Sequence, residues 1–194
     1  MPDIAYVIAA APFLVVMLLV AMLFAGVALH RRGLLTPWRL LTAGAVAVYL
    51  EILVTATMFP LQVNVGPLAP PPQHWQDSFN LVPLVTAQPD GMLLNIAMTI
   101  PLGLLAPLVL RIRSIGAAAL VGVAVSTTIE LLQLAGNIAF STGRTTDIND
   151  VIANTLGAVL GWLLLRSFAR LGWSRPGLRA MSLHRPRQTV SGSA

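Results

Sequence analysis

Arg144-Thr145-Thr146-Asp147-Ile148-Asn149-Asp150-Val151-Ile152-Ala153-Asn154-Thr155-Leu156-Gly157 is the stretch on which the reading of this chain turns. It places an arginine, two carboxylates and amide side chains at the mouth of an apolar segment that continues to Leu165. The chain has seven acidic residues in 194, so two of them three apart beside a lone arginine are costly unless used. Charged groups at membrane depth need partners and commonly mark where function sits.

Composition sets the surroundings of this motif. The chain is 56% hydrophobic and 10% charged, with a mean hydropathy of +0.80, where a globular domain carries about a quarter charged residues. It therefore reads as an integral membrane protein. The absence of cysteine excludes a disulfide framework, a thiolate nucleophile and a cysteine-ligated metal. All twelve basic residues are arginine. With the abundance of Ala, Leu, Val and Gly, this composition points to a high-GC bacterial source, for which the expected location of such an apolar chain is the bacterial cytoplasmic (inner) membrane, multi-pass.

Five apolar segments can be read: Ile4–Leu29, Leu40–Phe59, Met92–Leu110, Ile115–Gly136 and Ile148–Leu165. Each is near the ~20 residues that cross ~30 Å of hydrocarbon as a helix. A backbone inside lipid must satisfy its own hydrogen bonds, which favours helices over isolated strands. The expected fold is all-α, a polytopic membrane protein of five transmembrane helices. The first segment reads as a retained helix, because Met1-Pro2-Asp3 lacks the basic start of a cleaved signal.

The arginines give the orientation. Arg31, Arg32 and Arg39 lie in the first loop, Arg111 and Arg113 in the third, and Arg166, Arg170, Arg175, Arg179, Arg185 and Arg187 in the tail. With five spans, eleven of the twelve fall on one side, leaving Arg144 on the other. The positive-inside rule makes the rich side cytoplasmic and puts the amino terminus outside. Four or six spans would divide the arginines between the two sides.

The loop Pro60–Gly91 is the longest between helices. Pro67, Pro70, Pro71 and Pro72 exclude regular helix or central strand from its start. Trp75 to Leu84 reads as a re-entrant cap in the outer interface, with Trp75 an ordinary headgroup anchor. The tail beyond Arg166 is rich in Arg, Ser, Pro and Gly, and reads as a disordered segment lying on anionic lipid. A nucleic-acid partner is the weaker reading, because the basic charge adjoins a membrane span.

Helical spacing then sorts the polar residues. Asp147, Asp150, Asn154, Gly157 and Gly161 share one face of the fifth helix, and Ser126, Glu130, Gln133 and Asn137 form a stripe on the fourth. Asn95 lies one turn into the third, on a face continued by Thr99 and Gly103. Glu130 and Asn154 fall at ~9 Å from the outer boundary, with Asp150, Gln133 and Asn95 shallower and Arg144 above them. Three helices thus bring carboxylates and amides to one outer third of the membrane.

These residues resemble the VanZ-like family of small bacterial membrane proteins. The match consists of Asn80-Leu81-Val82-Pro83-Leu84, Asn95, a Pro101-Leu102-Gly103 turn, Glu130 with Gln133, and Arg144…Asp147…Asp150…Asn154…Gly157. It covers about Leu40 to Arg166. Leu84 stands where the family often has phenylalanine. The resemblance implies a helical membrane protein, in a family whose founding member is linked to low-level teicoplanin resistance; it supplies no agreed mechanism. It divides the chain into an amino-terminal helix with its basic loop (1–36), a four-helix VanZ-like core (37–166) and the basic tail (167–194).

Sharp and plain readings stand side by side. Asp147 and Asp150 suit the start of a helix, where carboxylates cap free amides and meet the positive dipole end. Capping does not account for Arg144, which could pair with an aspartate or take a phosphate or carboxylate in two-pronged fashion. Glu130 is a candidate general acid or base with Asp150, or a neutral carboxyl bonded to Gln133 or Asn154. Glu51 lies near mid-membrane, with Asn95 and Thr99 as candidate partners, and leans structural. Gly157-x-x-x-Gly161 reads as a helix-packing seam. Asp147, Asp150 and Glu130 together offer hard oxygen ligands suited to Mg²⁺ or Ca²⁺, while His30, His74 and His184 are too scattered for a metal site.

The expected function is an outward-facing polar pocket for an anionic or amide-rich envelope molecule, lipid-linked or peptidoglycan-related. Asn80, Asn95, Gln133, Arg144, Asp147 and Asn154 would bind it, and Glu130 and Asp150 would serve any reaction. A structural or interaction protein held together by the same residues is the alternative. A proton-coupled transporter using Glu51 and Glu130 is the third, disfavoured by five spans without an inverted repeat. The sequence specifies no cofactor, oligomeric state or reaction.

Overall fold

A computed structural model describes residues 4–65, 79–85, 87–142 and 144–184. Five helices carry the architecture: α1 (Ala11–Arg31), α2 (Pro37–Met58), α3 (Pro89–Val109), α4 (Ile115–Phe140) and α5 (Ile148–Phe168), each long and apolar enough to cross a membrane. Proline in the first turn starts α1, α2 and α3, where an amide would have no helical partner in any case. Side-chain caps start the others. Ser114 accepts from the Ala117 amide at 3.2 Å for α4, and Asp147 from the Asn149 amide at 2.8 Å for α5.

Two short strand pairs frame one end of the bundle. Strand β1 (Ile4–Ile8) runs antiparallel to β2 (Leu61–Val65), with Ile8 opposite Leu61, and β3 (Phe79–Asn80) runs parallel to β4 (Thr146–Asp147). The first helix therefore begins at Ala11 and not at Ile4. Pro12 fits a first turn but not a helix interior, and the residues before it extend along the chain that leaves α2. The segment Pro101-Leu102-Gly103 is likewise no turn, since Pro101 and Pro107 both lie inside α3. Membrane helices tolerate such prolines where neighbouring elements cover the freed backbone.

Helices α3 and α5 pack most closely, and glycine is the reason. A methyl group on Gly157 would strike the Ile96 carbonyl and the Thr99 hydroxyl, and one on Gly161 the Ile100 carbonyl. The seam read from Gly157 and Gly161 thus meets α3, which answers with Gly103 facing the α5 backbone. Tyr49, Leu53, Leu102, Ala106, Ile129 and Ala158 form the main core, and the Tyr49 hydroxyl donates to the Met98 carbonyl at 3.1 Å, joining α2 to α3. Helix α1 is peripheral, with Leu29 its one buried residue.

The ends of the bundle differ in character. At the arginine-rich end Leu29, Leu34 and Ala43 cluster with Leu183, whose amide donates to the Leu108 carbonyl at 2.8 Å. Arg39 Nε donates to the Ser182 carbonyl at 2.9 Å. The tail expected to be disordered departs from that reading as far as it is described. A 3-10 turn at Gly172–Ser174 leads into helix α6 (Arg175–Met181), Phe168 meets Trp173 edge-on at 5.3 Å between ring centroids, and Arg166 lies over the Trp162 ring at 5.5 Å. The rest of the tail, with Arg185 and Arg187, lies outside the described residues, as do Pro67, Pro70–Pro72 and Trp75.

Candidate functional site

The opposite end gathers the polar residues. Helix α4 carries Glu130, only 3% exposed, and its Oε2 accepts the Asp147 amide at 3.0 Å. One turn of chain is thereby hung from α4: the Thr146 hydroxyl also donates to the Glu130 carbonyl, at 3.4 Å. The partners expected for Glu130, Gln133 and Asn154, are engaged elsewhere. Gln133 Nε2 donates to the Thr57 carbonyl at 2.8 Å, and Asn154 Nδ2 to Ser126 Oγ at 2.8 Å.

Asp147 joins three elements. Its Oδ1 accepts both the amide and the side-chain Nδ2 of Asn149, each at 2.8 Å, and its Oδ2 accepts Asn80 Nδ2 at 3.0 Å. The capping reading of Asp147 therefore holds, and the same carboxylate also anchors the loop carrying β3. Asp150, in the first turn of α5, accepts Asn95 Nδ2 at 2.7 Å across to α3. Asn154, one turn deeper by ~6 Å, turns to α4. The face shared by Asp150, Asn154 and Gly157 is thus divided between two neighbours.

Arg144 lies beside this group. Its guanidinium donates to the Thr57 carbonyl at the end of α2, the same oxygen that Gln133 holds. Among the described residues no carboxylate pairs with it, so the pairing with Asp147 or Asp150 weighed from sequence is not made. Nor do Asn95 and Thr99 reach Glu51. Asn95 bonds Asp150, and the Thr99 hydroxyl donates to the Asn95 carbonyl at 2.7 Å.

Asn149 is the residue that sequence reasoning passed over. It is 2% exposed and its Oδ1 accepts the Leu84 amide at 2.6 Å. The chain at 81–85 is so tied to the start of α5, while Leu81, Val82, Leu84 and Val85 stay exposed. The signal available was its place two residues after a capping aspartate, where an Asx turn forms.

The chemistry of the donor set bears on the metal question. Asp147 and Glu130 turn oxygens to amides and Asp150 to Asn95. Among the described residues no group of three or more His, Cys, Asp or Glu side chains is arranged to hold a metal ion. The oxygen-ligand set of Glu130, Asp147 and Asp150 weighed from sequence is not assembled.

No solved structure matches the chain. Protein VanZ of Enterococcus faecium is similar, 36% identical over 129 residues that cover 63% of this chain and 72% of that protein. The VanZ/LLP1 family model matches residues 46–170, from within α2 to just past α5, and so takes in every polar residue of the site. This multi-pass membrane protein belongs to the VanZ/LLP1 family.

Proposed function

We propose that the polar end of the bundle faces the cell exterior and binds an anionic envelope molecule, a lipid-linked or peptidoglycan-related headgroup. Arg144 takes the phosphate or carboxylate, Asp147, Asp150 and Asn154 orient it, and Asn80, Asn95 and Gln133 complete the lining. Glu130 with Asp150 supplies acid–base chemistry where a bond is broken. The observation that carries this reading is the guanidinium of Arg144, steadied by the Thr57 carbonyl at the edge of three carboxyl groups and paired with none of them among the described residues. A cation fixed in that way is suited to two-pronged capture of an anion. The outward placement follows from the arginine-rich far end, and the family resemblance extends the proposal to glycopeptide susceptibility.

The test is binding of a polyprenyl diphosphate to the full chain in nanodiscs, paired with teicoplanin susceptibility of cells expressing it. Arg144→Ala should weaken binding about tenfold or more, the scale of a lost charged hydrogen bond, and restore susceptibility while the protein still folds. Unchanged binding and susceptibility in a folded Arg144→Ala protein would overturn the reading.

A second reading has its own support. The bonds Asn95–Asp150, Asn80–Asp147 and Glu130–Asp147 each join separate elements, as expected of a protein whose polar groups hold it together. Asp150→Asn and Glu130→Gln separate the two, since loss of folded protein favours the structural role and loss of phenotype in intact protein favours a site. A proton-coupled transporter remains the third class, read out as proton flux in liposomes.

A further inference from the structure

A second chemical feature lies on the other side of α2. Glu51 is the fifteenth residue of a helix that ends at Met58, which puts it ~10 Å below the polar end at 1.5 Å per residue. Its Oε1 is buried and, among the described residues, has no hydrogen-bond partner; the Thr55 hydroxyl, one turn on, is in the same condition. Both residues line a cavity of about 450 Å³ between α1, α2 and the ends of the β1–β2 pair. Its other walls are apolar, with Phe13, Leu14, Met17 and Leu50 prominent among them. The size falls within the roughly 300–1,000 Å³ usual for small-molecule sites, which are mostly apolar with a few placed polar groups.

A carboxyl group in such a wall is expensive unless something donates to it. Main-chain and side-chain amides meet Glu130, Asp147 and Asp150, yet among the described residues no such donor meets Glu51 Oε1. The shape calls for a compact apolar body, and the carboxyl calls for a cation. We infer that the α1–α2 cavity binds a small hydrophobic amine, its ammonium paired with Glu51 and hydrogen-bonded to Thr55 and its apolar body lodged between α1 and α2. Neither Arg144 nor Gln133 lines this cavity; both hold the Thr57 carbonyl in the last turn of α2.

The experiment is equilibrium dialysis of radiolabelled 1-aminoadamantane against the full chain in lipid nanodiscs, with protein-free nanodiscs as the blank. Saturable binding at about one per chain is expected, and 1-adamantanecarboxylic acid, of the same shape and opposite charge, should not compete for it. Glu51→Gln should weaken binding at least about tenfold, and Leu14→Trp, which fills the cavity, should abolish it, while Arg144→Ala leaves it unchanged. No saturable binding above the blank, equal competition by the carboxylate, or undiminished binding to Glu51→Gln would each overturn the inference. The comparison of amine with carboxylate uses the native chain and so decides the matter even where a variant fails to fold.

Discussion

At the scale of single residues, the site rests on how few side chains are asked to satisfy many groups. Asn149 serves Asp147 and the Leu84 amide together. Asn149→Ala would leave both without that partner, and should destabilise the protein by about 1–3 kcal/mol, the cost of stranding buried polar groups. Thermal unfolding in detergent measures this, and protease cleavage within 79–85 should rise in parallel. Gln133→Ala should be milder, because the Thr57 carbonyl keeps Arg144 as a donor. Charged residues were legible in the sequence at this scale because a carboxylate inside an apolar run stands out by type alone. Asn149 was not, since it differs from its neighbours by geometry and not by charge. The unshared guanidinium of Arg144 was hidden for a related reason: its partner is a main-chain oxygen, and main-chain atoms carry no mark in a sequence.

At the scale of elements, the contact between α3 and α5 has no slack. Gly157→Leu or Gly161→Leu forces side-chain atoms into the Ile96 or Ile100 carbonyl, and overpacking of this kind costs about 1–3 kcal/mol or more. Gly26→Ala and Gly136→Ala meet nothing within 4 Å and should not lower the melting temperature, since alanine is favoured over glycine by about 0.5–1 kcal/mol inside a helix. All five helices were legible from length and hydropathy, and the seam from its spacing. Where each helix begins was less so. Residues Ile4 to Ile8 are as apolar as a helix would be, and only the pairing with Leu61–Val65, more than fifty positions away in sequence, makes them a strand. Part of the tail misled in the opposite sense. Its composition is that of a solvated coil, but Trp173 and Leu183 find apolar partners that composition does not display.

At the scale of the whole molecule, the polar site and most of the arginines lie at different ends of the bundle. The native chain has no cysteine, so single thiols report sidedness without background. A thiol at Leu81, 67% exposed beside the polar site, should react with an impermeant maleimide in intact cells. One at Trp173, 74% exposed at the other end, should react only after permeabilisation. The reverse pattern would invert the orientation and remove the envelope ligand from reach of Arg144.

The way α1 is fastened has a mechanical consequence. It is pinned near its start, where β1 holds β2, and near its finish, where Leu29 sits with Leu34, Ala43 and Leu183. Between those points it is a beam resting on little. A beam fixed at both ends cannot swing like a door; it can only bow at the middle of its span, which is where the α1–α2 cavity lies.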